Sequence, residues 1–181
     1  MKGIYKDYFP VVWKYVYSSP LPMAISNVAL SRLMFVNPEI ENDKVISAAT
    51  WVDINLGQQT ELTENPGSDS GTKSFTVRNK YFKAINQVPT PQTIGVGFDN
   101  GGTPPPTVLV FNDIGYTYNV TAEFTPTLTA YISEDYQENT VLRGAIQTPY
   151  IWRQNLAALP QTSSWQFARD PVSGQYSITA A

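Results

Sequence analysis

Asp69-Ser70-Gly71-Thr72 has the residue types of an aspartic-protease carboxylate loop, D-[ST]-G-[ST]. That chemistry needs two carboxylates sharing a proton, so a chain with one such segment would work only as a dimer. In the proteases the Asp follows an apolar strand. Here it follows Asn65-Pro66-Gly67-Ser68, a polar turn, and a loop using Asp, Ser and Gly for their backbone geometry is the stronger reading. Gly67-Ser68-Asp69-Ser70-Gly71 has the outline of a nucleophile elbow, but its centre is Asp and the chain has no His to activate a hydroxyl.

Glycoside hydrolysis needs only two carboxylates. Asp53, Asp99, Asp113, Glu123, Glu134, Asp135 and Glu138 are candidates, and no pair stands out by spacing. Glu134, Asp135, Glu138 and Asn139 offer hard oxygen ligands of the kind Ca²⁺ takes, without EF-hand spacing; a solvated acidic loop is the simpler reading. Gly95, Gly97, Gly101 and Gly102 fit neither a phosphate loop nor a dinucleotide fingerprint. Asn119-Val120-Thr121 is a glycosylation sequon placed mid-strand, where it is expected to go unused.

Composition narrows the chemistry further. The 181 residues include neither Cys nor His. Disulfides, thiol nucleophiles, Ser-His-Asp triads and imidazole- or thiolate-bound metals are excluded. The expectation is a protein that is not an enzyme, with no catalytic residue and no cofactor. Twelve Lys and Arg against 15 Asp and Glu give a net charge of −3, with no basic footprint for nucleic acid. Charged residues make up only 15%, below the usual share of about 25%, and Thr, Asn and Gln supply the remaining polarity. Such a surface repels itself weakly and suits lasting contact with a partner, often copies of itself.

The elements that would position these residues read mainly as strands. Residues 1–20 form an aromatic arm or a first strand, with Val12–Tyr17 β-prone. Residues 21–181 read as one β-sandwich domain. Ser19-Pro20 opens a candidate helix over 23–35, with Ile25, Val28, Ala29 and Leu33 on one face and Asn37-Pro38 ending it; a buried strand over Leu33–Val36 competes. Glu39, Glu41 and Asp43 read as a solvated loop. Val52, Ile54 and Leu56 alternate with polar neighbours, and 57–72 reads as a long polar loop. Phe75 and Val77 begin a strand running toward Ile85. Ile94, Val96 and Phe98 alternate with Gly95 and Gly97, so another group must approach closely on the glycine face.

Asp99–Gly102 is a turn, and Pro104–Pro106 a stiff spacer. Val108–Phe111 is a short apolar strand. Over 116–124, Tyr116, Tyr118, Val120, Ala122 and Phe124 share one face. Leu128, Ala130 and Ile132 make a further strand, and 141–146 another candidate. Residues 149–159 suggest one or two helical turns. Trp165 and Phe167 face Tyr176 and Ile178 across the turn Asp170–Gly174 as a hairpin. The pattern predicts an all-β fold: an antiparallel β-sandwich, jelly-roll-like, with one or two short accessory helices.

Aromatic residues are in surplus at 13%. They suit half-wet surfaces such as interfaces and sugar platforms. The expected function is a structural subunit that assembles with copies of itself, or with other structural proteins, into a symmetric oligomer or particle of the virus or phage capsid class. Tyr8, Phe9, Trp13 and Tyr15 would make assembly contacts. The alternative is a module binding a carbohydrate or a membrane surface (a lectin or defence toxin), with Trp51, Asp99, Asn100 and Trp152 as ligand contacts. A carboxylate-only glycoside hydrolase is the second alternative. MKGIYKDYFP lacks a secretory apolar core, and no run of 18 apolar residues occurs. The expected location is therefore a virion or other particle assembled from cytoplasmic chains.

Overall fold

A computed structural model of the chain describes residues 4–5, 8–13, 23–29, 32–55, 57–64, 73–79, 83–99, 106–121, 127–155, 158–160 and 162–181. Their fold is all β. Fifteen strands run β1 (Ile4–Tyr5), β2 (Phe9–Pro10), β3 (Met23–Ala29), β4 (Arg32–Glu41), β5 (Lys44–Asp53), β6 (Gln58–Glu64), β7 (Lys73–Asn79), β8 (Lys83–Asn86), β9 (Gln92–Asp99), β10 (Thr107–Ile114), β11 (Asn119–Thr121), β12 (Thr127–Tyr131), β13 (Tyr150–Asn155), β14 (Thr162–Arg169) and β15 (Tyr176–Ala180). No α-helix occurs among the described residues.

Two five-stranded sheets form a sandwich, in the orders β1-β11-β8-β6-β7 and β2-β10-β9-β4-β5. Alternate residues of both sheets meet in one core: Phe35, Ile94, Val96 and Phe111 from the second sheet, Leu62, Ala84 and Val120 from the first. Sequence-adjacent hairpins dominate (β4-β5, β6-β7, β9-β10), and β1-β11 and β6-β8 pair in parallel. A jelly roll interleaves strands distant in sequence, and these pairings do not establish that order. Two smaller sheets, β15-β14-β3 and β12-β13, complete the chain.

Several expectations change here. The candidate helix over 23–35 is two strands, β3 and the start of β4. The spacing of Ile25, Val28, Ala29 and Leu33 is helical, and pairing of β3 with β14 and of β4 with β5 and β9 overrides it. Pro38 does not end the element. The β4–β5 register gains an extra β5 residue between Asn37↔Thr50 and Glu39↔Ser47, and this bulge accommodates a residue with no N–H to donate. The loop at 57–72 begins instead as strand β6, whose Thr60 and Leu62 are fully buried; its Gln, Thr and Glu content hid the alternation. The strand from Phe75 toward Ile85 is two strands, β7 and β8. Over 150–155 the helical turns expected at 149–159 give way to β13, paired with β12 from Thr127↔Asn155 to Tyr131↔Tyr150, while Ala158 lies in a 3₁₀ turn.

The acidic segment 39–43 is the end and tip of a hairpin. Asn42 and Asp43 have φ of 49° and 56°, the two-residue turn geometry that matches strand twist. Glu39, Glu41 and Asp43 are exposed, as solvated acids should be. The C-terminal hairpin is as read, with Phe167 opposite Ile178 and Arg169 opposite Tyr176. In its turn, Asp170 Oδ1 accepts from the N–H groups of Val172 (2.7 Å) and Ser173 (3.0 Å). These bonds, Ser173 first, hold the Asp170 carboxyl below the usual carboxylate range. The folded value lies below the unfolded one. The turn's contribution is therefore complete above the unfolded Asp value of about 3.9 and is lost as pH falls through the lower folded value. An NMR titration of the Asp170 carboxyl should give a depressed midpoint, with the Val172 and Ser173 amide shifts following the same curve.

The candidate strand over 141–146 is reduced to isolated bridges at Thr140 and Val141, which belong to a long-range seam. Residues 139–142 lie between the two edges of the second sheet. On one side Val45 N donates to Asn139 O (2.9 Å) and Val141 N to Asp43 O (2.7 Å). On the other, Val12 N donates to Thr140 O (2.9 Å), Asn139 N to Val12 O (2.8 Å) and Leu142 N to Pro10 O (2.8 Å). The sheet is thus closed on itself at this end, which removes both open edges there. Val11, Val45, Val110 and Val141 fill the closed end, with Phe9 and Ile40 packed against them.

Arg143 clamps this seam from outside. Its Nε donates to Asp43 Oδ1 (2.8 Å), and its guanidinium lies 4.6 Å from the centroid of the Phe9 ring. With its amide turned so that the nitrogen donates to Thr93 Oγ1, Asn112 accepts from both Arg143 Nη atoms (2.5 and 3.3 Å). The ion pair is exposed and worth little alone. With the cation–π contact, Arg143→Met is expected to lose about 1–2 kcal/mol in urea unfolding, and less in 1 M salt, where the ion pair is screened.

Candidate functional site

β1 pairs in parallel with β11, β2 pairs with β10, and Val11 is buried in the seam. The described part of the arm therefore belongs to the chain's own sheets. Phe9 is half-buried under Arg143. Trp13 is half-buried. Tyr8 is 56% exposed, its ring centroid 6.1 Å from that of Phe111. Tyr15 lies outside the described residues.

Of the four residues assigned to ligand contact, Trp51 and Trp152 lie on strands of different sheets. Trp51 lies on edge strand β5 and is 40% exposed. Trp152 lies on β13 and packs edge-on against Trp165, centroids 4.8 Å apart, so a tryptophan partner holds it. Asp99 ends β9, while Asn100 lies outside the described residues.

The carboxylates are spread as well. Asp53 Oδ2 pairs with Arg32 Nη1 at 2.8 Å, and its Oδ1 is buried without a hydrogen-bond partner among the described residues. Asp113, Glu134, Asp135 and Glu138 are exposed, and Glu123 and Asp69 lie outside the described residues. Among the described residues no group of three Asp or Glu side chains is placed to hold a metal ion. Asn119 of the sequon is buried, and its Oδ1 accepts from Thr121 Oγ1 (3.1 Å).

A rigid turn was missed. The alternation over 116–124 predicts Tyr116 and Tyr118 on the same buried face as Val120. Instead Gly115–Tyr118 is a turn, closed by Tyr118 N donating to Gly115 O (3.1 Å), and both tyrosines are exposed. Thr117 sits at φ 66°, costly for a β-branched residue. Buried Asn86 fixes this geometry. Its main-chain oxygen accepts from Thr117 N (2.7 Å), its main-chain N–H donates to Tyr118 O (2.9 Å), and its Nδ2 donates to Ile114 O (2.8 Å). The Tyr118 ring lies over Gly115, where a Cβ would come within 2.7 Å of Cδ2. The glycine was the available sequence clue.

Among the described residues the exposed large apolar side chains are spread over several elements. Tyr8 flanks β2, Ile46 and Trp51 are on β5, Tyr116 and Tyr118 on the 115–118 turn, and Tyr131 and Tyr150 on β12 and β13. No helix of the described residues is long and apolar enough to cross a membrane. No protein-family model, curated protein or solved structure matches the chain.

Proposed function

We propose that the chain is a non-enzymatic structural subunit that assembles with copies of itself into a symmetric oligomer or particle, of the capsid or virion type. The dispersal of its exposed aromatics carries this reading. A ligand site gathers aromatics at one end of a fold, whereas a subunit contacts neighbours on several sides. Here they occupy an edge strand, a turn, the flank of β2 and the β12–β13 hairpin. The low charge of the surface supports the same reading, since little repulsion opposes close approach. Tyr8 and Trp13 are the arm residues proposed to reach a neighbour, with Phe9 serving the chain's own seam. Jelly-roll kinship and residence in a virion belong to this proposal. Electron microscopy of the purified chain tests it. Ordered particles of repeated symmetry are expected, and a field without them at high concentration contradicts it.

A carbohydrate-binding module is the second reading, favoured by one observation. Tyr116 and Tyr118 are exposed on a turn that is strained and held from beneath, a pre-organised stacking surface for a sugar ring. Glycan-array binding that Tyr116→Ala abolishes would favour it.

A further inference from the structure

The segment that closes the second sheet comes from outside it. Residues 139–142 stand in the long connection between β12 and β13, which pair with each other and with neither five-stranded sheet. They run antiparallel to residues 10–12 on one side and to residues 43–45 on the other. The bonds of the seam are main-chain bonds, which any copy of the same backbone can make. Of residues 132–149, Val141 alone is buried. Arg143 is the one side chain of this segment with a hydrogen bond to another element among the described residues.

The linkers on either side of the strap are slack. Residues 132–138 bend at Glu134–Asp135 and turn at Glu138, and residues 143–149 bend at Gly144 and at Gln147–Thr148. Apart from those of Arg143, their hydrogen bonds among the described residues stay within the segment. Asp135 N donates to Ser133 Oγ (3.1 Å), Gln137 N to Thr140 Oγ1 (3.3 Å) and Gln147 Nε2 to Ala145 O (3.2 Å). A linker of this length, pulled straight, spans roughly 23 Å. The strap can therefore leave its slot while β12 and β13 stay paired. An emptied slot would leave two open strand edges, at residues 10–12 and 43–45. An identical strap meets the same main-chain partners there, the same valine-lined end and the same Asp43 carboxylate. We propose that the strap is exchanged, residues 139–142 of one copy closing the second sheet of another. Exchange of an identical element joins copies with contacts the fold already makes, so it needs no new complementary surface. This rests on the assembly reading above and names the segment that links the copies.

The test uses the full-length chain carrying Lys44→Cys and Thr140→Cys. The natural chain has no cysteine, and these two positions face each other across the seam. Opposed antiparallel residues lie at a Cα separation that a disulfide spans. Native molar mass of the reduced variant is read beside its far-ultraviolet β spectrum. The oxidised variant is then run denatured, without reductant. Adducts of two or more chains are expected, and reductant should return them to 20.1 kDa. A disulfide confined to each chain, in a variant that is multimeric before oxidation, would overturn the exchange and leave self-assembly standing. A folded variant of single-chain mass before oxidation would overturn both. Where the double variant does not fold, the two single variants are refolded together, one of them bearing an affinity tag. A mixed adduct of tagged and untagged chains, in excess over like-with-like adducts, is then expected, and its absence overturns the exchange.

Discussion

Gly97→Ala is expected to destabilise the fold by at least about 3 kcal/mol, a large share of the 5–15 kcal/mol that holds a domain together. Gly97 lies in β9 at the centre of the second sheet. A Cβ there would overlap the Pro106 carbonyl oxygen and Met34 Cε. The first is backbone, held by Phe98 N donating to Pro106 O (3.3 Å), and the second belongs to a fully buried side chain. The carbonyl cannot move without disturbing the pairing of β9 with β10, and the Met34 methyl can shift only within a packed core. Gly95→Ala should cost less, since its nearest contacts are side-chain methyls, Val36 Cγ1 at 2.8 Å and Thr107 Cγ2 at 2.9 Å. Gly144→Ala is the control: nothing lies within 4 Å, and the change should stay within about 0.5 kcal/mol. Urea unfolding of the three variants checks the ranking. Equal stability of Gly97→Ala and Gly144→Ala would overturn it.

Asn86→Leu should cost a similar amount by a different route. Asn86 is fully buried, and its side chain joins three backbone groups. Nδ2 donates to Ile114 O (2.8 Å) and Thr90 O (3.1 Å), and Oδ1 accepts from Val88 N (2.8 Å). Leucine fills comparable space and satisfies none of them. An unsatisfied buried polar group costs about 1–3 kcal/mol, so losing the three bonds should remove about 3 kcal/mol or more. The loss should also be local. The Val88 amide, and the Thr117 amide held by the Asn86 main chain, should exchange faster than the rest of the core. A variant with wild-type unfolding and unchanged exchange at both amides would show that Asn86 does not organise the 115–118 turn.

The two cases mark what the sequence makes legible. Gly95 and Gly97 alternate with Ile94, Val96 and Phe98, so close approach on one face can be read from residue types alone. The C-terminal hairpin is legible for the same local reason: alternating aromatics flank Asp170–Gly174. Asn86 carries no signal in the sequence, because its bond to Ile114 depends on where the end of β10 meets β8. The helix expected over 23–35 fails because pairing with strands distant in sequence overrides the local helical spacing. The closure of residues 10–12 and 43–45 on 139–142 is invisible locally; its partners are about a hundred residues apart in sequence. The candidate site fares worst. Dispersal of aromatics over the surface is a property of the folded shape, and no spacing along the chain encodes it.

The closed seam also changes how the arm must be tested. Deleting residues 1–20 would remove Val11 from its buried place and reopen an edge of the second sheet. Loss of assembly after such a truncation would not separate contact from folding. Tyr8→Ser spares the seam and tests the arm alone. The central claim, self-assembly, is tested most directly by the molar mass of the intact chain, measured by sedimentation across a wide concentration range. The account predicts a defined multiple of 20.1 kDa that persists on dilution into the range of specific complexes. A single folded species of 20.1 kDa at every concentration would contradict it.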